Sequence, residues 1–156
     1  MKKFVLAIAT GLGFGYLKPA SGTWGTLVGI PLVLACAHMS PFAYLVTTIG
    51  LFFIGSWAAS AAEVHFGKSD AGQIVIDEIV GYQFTMFMVP LTFWNMFWAF
   101  FLFRFFDVVK FWPARSIDRA NLGGIGVMAD DIAAAVYANI ALQLLVVLGW
   151  LGCGWN

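Results

Sequence analysis

A chain of 156 residues is about one domain long, so we expect a single domain over 1–156, with any chemistry lying among its apolar segments. Hydrophobic residues make up 62% and charged residues 10%. In a soluble domain roughly half of the residues are apolar and a quarter are charged. The composition therefore indicates a membrane protein. The formal net charge is zero, which argues against the basic surface of a nucleic-acid-binding protein.

Apolar segments follow one another along the chain, separated by short breaks that contain Pro, Gly or charged residues. They lie at 24–38, 42–62, 79–89, 92–106 and 131–151. A helix of 21 residues reaches roughly 31 Å, which is enough to cross a bilayer. The segments 42–62 and 131–151 each have this length. We expect 79–89 and 92–106 to be tilted, partly immersed or joined in one hairpin. The pattern predicts an all-α, polytopic membrane protein with four to five hydrophobic helices.

The eight basic and eight acidic residues fall in three blocks, at 2–18, 63–78 and 104–131. Two further breaks, 38–41 and 89–92, carry no formal charge. If successive segments cross in alternation, all three blocks lie on one face of the membrane. Every Lys and Arg is then on that face, which the positive-inside rule assigns to the cytoplasm.

Carboxylates are concentrated at segment ends on that face. Asp77 and Glu78 are adjacent, as are Asp130 and Asp131, and Asp107 follows the segment 92–106. Adjacent carboxylates repel unless a cation or a helix amino terminus faces them. The glycines at 123–126 predict that the second pair lies at the amino terminus of the last helix. Oxygen ligands of this kind suit Mg²⁺.

Basic residues accompany these acids. Arg104, Asp107 and Lys110 fall at i, i+3 and i+6, so they share one side of a helix if that helix continues. Such a triad can hold a metal and a phosphate together, or its acid and bases can simply pair with one another. A network of ion pairs, with Arg115 among the partners, is therefore the alternative to a metal site.

The run from Lys18 to Thr26 is rich in Gly, Ser and Thr and precedes an apolar helix. Loops of this composition present free backbone N–H groups to anions. A helix cap with close glycine packing explains the same residues equally well. The order GxxxxGK[ST] is absent, so the run is not a P-loop.

Four blocks of residues occur in a specific order. They are Gly22-Thr23-x-Gly25; Asp70 with Ile74 to Gly81; Phe103-Arg104-Phe105-Phe106-Asp107-x-x-Lys110; and Asp118-Arg119 with Gly123-Gly124-x-Gly126-x-Met128-x-Asp130-Asp131. Together they resemble the phosphatidylglycerophosphatase A family over nearly the whole chain.

The resemblance implies a mostly helical, Mg²⁺-dependent membrane hydrolase. Its substrate would be the lipid phosphatidylglycerophosphate, converted to phosphatidylglycerol and inorganic phosphate in the last step of bacterial phosphatidylglycerol synthesis. Its location would be the bacterial inner membrane, in contact with membrane lipids, with the active site facing the cytoplasm.

On this basis we expect three overlapping groups of site residues. The metal ligands are Asp77, Glu78, Asp107, Asp130 and Asp131. The catalytic residues are Asp70, Asp77, Asp107 and Asp131, with Asp118 as a nearby candidate. The substrate-binding residues are Lys18, Thr23, Arg104, Lys110 and Arg115.

Two other functions fit parts of the pattern. A small cation-binding transporter would use carboxylates, but it would place them near the bilayer midplane rather than at segment ends. An enzyme that transfers a phosphoalcohol from a CDP-lipid would also use Mg²⁺ and aspartates, but its DGxxAR block is absent. The lipid phosphatase is therefore the preferred hypothesis.

Overall fold

The computed structural model describes residues 2–120 and 122–151, and helices dominate this part of the chain. It contains seven α-helices and no strand within the described residues. In chain order they are α1 (Lys2–Ala9), α2 (Ser21–Ala35), α3 (Pro41–Phe66), α4 (Ile76–Thr85), α5 (Phe93–Val109), α6 (Ala114–Arg119) and α7 (Gly124–Val147). The predicted all-α class is confirmed.

Each predicted apolar segment coincides with a helix, whereas the apolar pattern does not predict the short helices α1 and α6. The expected count of four to five hydrophobic helices is not confirmed. Among the described residues, α3 and α7 are the two helices long and apolar enough to cross a membrane. Their 26 and 24 residues extend about 39 and 36 Å at 1.5 Å per residue. The apolar helix α2 is shorter, at 15 residues.

Helix α3 has sequence signals at both ends. Ser40 caps its amino terminus by accepting a hydrogen bond from the N–H of Ala43, and Pro41 occupies the first turn, where its missing N–H costs nothing. The helix ends at Phe66, before Gly67 in the left-handed conformation with φ 64°. These signals bring the carboxyl end of α3 next to the charged residues that follow it.

Large apolar side chains cover the outside of three helices. Phe53 and Trp57 on α3, Phe101 on α5, and Ile140 and Leu144 on α7 are each at least half exposed. A broad apolar surface of this kind is unfavourable in water and marks a contact with a membrane or a protein. Together with two helices of spanning length, it identifies a membrane-associated protein.

Helix α4 lies at the centre and packs against α7, α2 and α3. Val80, Tyr82 and Gln83 are fully buried. Close approach to α2 depends on glycine, because a Cβ at Gly25 would lie 2.7 Å from the Cβ of Val75. The ten residues of α4 extend only about 15 Å, so this helix is a core element that carries side chains to the site.

Helix α7 begins where it touches α3. The N–H of Gly124 donates to Ser60 Oγ at 3.2 Å, and a Cβ on Gly124 would lie 2.5 Å from the same oxygen. Asp130 and Asp131 are therefore the seventh and eighth residues of the helix. The prediction that they lie at its amino terminus is wrong, because most of the glycine-rich run is itself helical.

Candidate active site

The first turn of α4 presents two adjacent carboxylates, Asp77 and Glu78, to the protein interior. The start of the helix is held in place because the N–H of Val75 donates to the carbonyl of Ala9 at 2.9 Å. Asp77 is 7% exposed. Acids in the first turn also interact favourably with the helix dipole.

Asp131 of α7 completes a group of three carboxylates, which we call the acidic cluster. One carboxylate oxygen from each of Asp77, Glu78 and Asp131 lies within 4.8 Å of the others. Within the described part of the chain, Asp77 Oδ1, Glu78 Oε2 and Asp131 Oδ2 are buried without a hydrogen-bond partner. Buried oxygens of this kind are the ligands that Mg²⁺ takes in proteins. The residues of the cluster therefore fit the predicted ion.

The environment of Asp77 shows why the acidic cluster needs a counter-charge. Burial raises the pKa of Asp77 well above its ordinary value, and the carboxylates of Glu78, Asp131 and Asp70 raise it further. Burial also raises the pKa of Glu78, although its interaction with Asp77 and the charge of Arg104 oppose this effect. A divalent cation would favour the ionised form of both groups.

Arg104 and Asp107, near the end of α5, border the acidic cluster. Arg104 Nη1 lies 2.6 Å from Asp107 Oδ2 and 3.7 Å from Glu78 Oε1. The charge of Asp107 also acts on Glu78 and Asp131. The structure thus brings three predicted metal ligands within 4.8 Å of one another, with Asp107 linked to them through Arg104, a guanidinium whose geometry suits phosphate.

Lys110 links the segment containing α6 to α7. Its Nζ lies 2.7 Å from Asp118 Oδ1 and 2.6 Å from Asp130 Oδ2. Burial opposes its charge, but hydrogen bonds to the two carboxylates outweigh burial and raise the pKa of Lys110. Lys110 would share a helix face with Arg104 and Asp107 only if the helix continued, and this condition is not met. Helix α5 ends one residue earlier, and Lys110 is left-handed with φ 48°.

The amino terminus of α2 lies directly against the acidic cluster. A Cβ added to Gly22 would overlap Glu78 Oε1 and lie 2.8 and 2.9 Å from the two terminal nitrogens of Arg104. Thr23, a predicted substrate-binding residue, is in the same first turn. Gly22 was not predicted as a site residue, although its place beside Thr23 in a glycine-rich run before a helix was a usable signal.

The other predicted residues lie nearer the surface. Asp70 is exposed, its N–H donates to Glu63 Oε1 at 2.8 Å, and its charge acts on Asp77 and Asp130. Asp70, Asp118 and Asp130 line a small notch of about 30 Å³. Lys18 and Arg115 are exposed, so their part in substrate binding stays a prediction.

The family model described as phosphatidylglycerophosphatase A matches residues 7–146. The chain belongs to the phosphatidylglycerophosphatase A family. The curated phosphatidylglycerophosphatase A of Haemophilus influenzae is 37% identical over 139 residues, which cover 86% of this chain and 84% of the relative. That of Escherichia coli is 36% identical over 131 residues, or 83% and 76%.

A third relative carries a different description. The putative phosphatidylinositol-3-phosphatase of Bacteroides thetaiotaomicron is 38% identical over 152 residues, covering 92% of each chain. No solved structure matches the chain significantly. Membership of the phosphatidylglycerophosphatase A family confirms the resemblance predicted from the four sequence blocks, and it identifies the chain as a lipid phosphatase.

Proposed function

We propose that the protein hydrolyses phosphatidylglycerophosphate to phosphatidylglycerol and inorganic phosphate, as the last step of phosphatidylglycerol synthesis. The observation that carries the proposal is the acidic cluster of Asp77, Glu78 and Asp131, each of which has one buried oxygen without a hydrogen-bond partner among the described residues. The names of two relatives give the substrate.

Mg²⁺ is the cofactor we propose for this site, with Asp77, Glu78 and Asp131 as ligands and Asp107 and Asp130 beside them. When bound, it would polarise the phosphoryl oxygens and lower the pKa of a coordinated water. Magnesium keeps open positions for water and substrate phosphate when proteins supply only a few carboxylates. The donor set of the cluster is consistent with this chemistry.

The remaining residues have proposed roles in phosphate-ester hydrolysis. In the proposed step a water oxygen attacks the phosphorus, the bond between phosphorus and the glycerol oxygen breaks, and that oxygen takes up the proton that the attacking water loses. Asp70, which is exposed and interacts electrostatically with Asp77, would accept the proton of the attacking water. Arg104 would offset the charge on the phosphate, and the start of α2 lies beside it at Gly22.

Lys110 has a different proposed role from Arg104. Its ammonium is already paired with Asp118 and Asp130. We therefore propose that Lys110 holds Asp130 beside the acidic cluster. Lys18, Thr23 and Arg115 would complete the binding of the lipid head group.

We propose that the protein is a multi-pass protein of the bacterial inner membrane with its active site facing the cytoplasm. Helices α3 and α7 have the length and composition of membrane spans. If the shorter apolar segments also cross in alternation, every Lys and Arg lies on one face, which the positive-inside rule assigns to the cytoplasm. The lipid substrate would then reach the acidic cluster from the inner leaflet, with its acyl chains remaining among membrane lipids.

The purified protein in detergent is expected to release phosphate from phosphatidylglycerophosphate with Mg²⁺ and to lose this activity in EDTA. Phosphatidylinositol 3-phosphate is the comparison substrate, because one relative is described as a putative phosphatase of that lipid. Faster turnover of the inositol lipid would overturn the proposed substrate. Equal activity in Mg²⁺ and EDTA would overturn the proposed cofactor.

Replacing Arg104 with glutamine is expected to raise the KM about tenfold to a hundredfold, because charge-assisted hydrogen bonds contribute ~1.5–3 kcal/mol. The Mg²⁺ concentration for half-maximal activity should fall, since a positive charge next to the carboxylates is lost. Steady-state kinetics over lipid and Mg²⁺ concentration check both changes. Arg119→Gln, at an exposed position on α6, is the matched control. An unchanged KM would contradict the role of Arg104 in phosphate binding.

A further inference from the structure

Helix α4 ends inside the protein, where its last carbonyl groups need hydrogen-bond partners. The hydroxyl of Tyr44 on α3 donates to the carbonyl of Gln83 at 2.6 Å, and the side chain of Asn139 on α7 supplies donors for carbonyls further along. Asn139 Nδ2 donates to the carbonyls of Thr85 and Phe87, each at 2.8 Å. Thr85 is the last residue of α4 and is fully buried. A buried carbonyl without a donor is costly, particularly in a protein surrounded by lipid.

The amide of Asn139 is fully used in this arrangement. Its Oδ1 accepts a hydrogen bond from Gln143 Nε2 at 2.9 Å, one turn further along α7. Asn139 itself is 8% exposed. Both of its N–H groups and its oxygen therefore have partners, which holds the side chain in one orientation.

The contact at Asn139 and the contact at the acidic cluster have the same spacing on both helices. On α4, Asp77 and Thr85 are eight residues apart, and on α7 so are Asp131 and Asn139. Eight residues correspond to about 12 Å along a helix. Because Asp77 meets Asp131 at one end and Thr85 meets Asn139 at the other, the two helices run in the same direction with matched register.

Small residues occupy the middle of this contact. Gly81 lies between Asp77 and Thr85 at i+4 spacing, and Ala135 lies in the corresponding position of α7. A Cβ on Gly81 would be 3.5 Å from the carbonyl oxygen of Asp131 and 2.6 Å from the ring of Phe103. Rows of residues at i+4 spacing are the ridges through which helices pack. Small central residues permit close approach, so the polar groups at the two ends can determine the register.

We infer that Asn139 is a positioning residue for the acidic cluster. By holding the carboxyl end of α4, it sets how far α4 extends along α7 and therefore where Asp77 lies relative to Asp131. A shift of one residue along the axis would move Asp77 by about 1.5 Å. That distance is large for a metal site, in which ligand distances are defined to a few tenths of an ångström. The cation bound by the cluster is the one in the proposed function, on which this part of the inference rests.

Asn139→Leu tests the inference, because leucine has a similar shape and lacks both N–H donors of the asparagine side chain. Thr48→Val is the matched control. Thr48 is also buried and its hydroxyl donates to the carbonyl of Tyr44 within α3, so the control loses a buried hydrogen bond while the Tyr44 hydroxyl still donates to Gln83 of α4. The folded state of both variants is checked by circular dichroism and size-exclusion chromatography in the same detergent.

Two measurements report on the register. Hydrogen–deuterium exchange without added metal should be faster in residues 76–85 of Asn139→Leu than in the wild type or Thr48→Val. Mn²⁺ binding followed by electron paramagnetic resonance should be about tenfold to a hundredfold weaker in Asn139→Leu, as for residues that orient metal ligands.

Asn139→Ser keeps one hydroxyl donor, so its exchange rate and Mn²⁺ affinity should fall between those of the wild type and the leucine variant. It also provides the test if the leucine variant does not fold.

Exchange and Mn²⁺ affinity that match the wild type in a folded Asn139 variant would overturn the inference. Equal effects in Thr48→Val would also overturn it, since they would reflect a general loss of stability. Failure of the proposed function has a different signature: a wild-type protein that binds no Mn²⁺ and releases no phosphate. The exchange measurement on α4 still decides the role of Asn139 in that case.

Discussion

Asp131→Asn is expected to lose phosphatase activity about a hundredfold or more while its fold remains intact. Asparagine keeps the shape of the side chain but removes the charge that a metal ligand requires. Losses of this size follow even from changes in groups that only support metal ligands. Asp131 is 4% exposed and shares the acidic cluster with Asp77 and Glu78. Phosphate release per mole of folded protein, measured at saturating Mg²⁺, gives the result.

The same substitution should have the opposite effect on the stability of the metal-free protein. Asp131→Asn removes one of three carboxylates that repel one another, so the melting temperature in EDTA should be equal to or above that of the wild type. Mg²⁺ should stabilise the wild type by mass action and have much less effect on the variant. Thermal melts with and without Mg²⁺ separate this behaviour from that of a structural ion pair.

Glu63→Gln is the control for Asp131→Asn. Glu63 lies outside the acidic cluster and accepts hydrogen bonds from Ser69 and from the N–H of Asp70, which a glutamine oxygen can also accept. Its activity should stay close to that of the wild type. Full activity in Asp131→Asn, or a lower melting temperature in EDTA with no response to Mg²⁺ in either protein, would contradict a metal site at the cluster.

The long helices were predictable because they depend on properties that are local in sequence. The apolar segments 42–62 and 131–151 correspond to α3 and α7, and apolar length alone marks both. The sequence also indicated which acids could share a site, since Asp77, Glu78, Asp107, Asp130 and Asp131 all lie at the ends of apolar segments. The structure brings Asp77, Glu78 and Asp131 within 4.8 Å, as a shared metal site requires.

Details that depend on helix ends and on packing were not predictable in the same way. Lys110 was expected on the helix face of Arg104 and Asp107 if the helix continued, but its own left-handed backbone ends α5 and its side chain pairs with Asp118 and Asp130. Nothing local in the sequence indicates that stop. The glycines before Asp130 were expected to put the two acids at the amino terminus of the last helix, whereas the helix already begins at Gly124, in contact with Ser60 of α3.

Residues whose role depends on a partner far away in the sequence could not be predicted either. Asn139 in an apolar helix is recognisable as unusual, because polar groups in such segments are costly. Its partners at Thr85 and Phe87 lie more than 50 residues away in sequence. The register between α4 and α7 therefore becomes visible only in the folded chain.

Gly22→Ala is expected to reduce activity about a hundredfold, because the added methyl group has no space beside the acidic cluster. Its carbon would overlap Glu78 Oε1 and lie within 2.9 Å of both terminal nitrogens of Arg104. These two groups must move, or α2 must move away from α4. A displacement of about 1 Å in a catalytic site can cost a factor of about 100 in rate. Phosphate release at saturating Mg²⁺ and lipid measures the effect.

Gly50→Ala in α3 is the matched control for Gly22→Ala. Gly50 is also a helical glycine, but a Cβ there meets no atom within 4 Å. Alanine favours the helix by about 1 kcal/mol relative to glycine, so this variant should remain folded and fully active. The loss in Gly22→Ala should therefore come from the site and not from a general effect of alanine in place of glycine. Wild-type activity in Gly22→Ala would show that the start of α2 does not take part in the reaction and would return the glycine-rich run to a purely structural role.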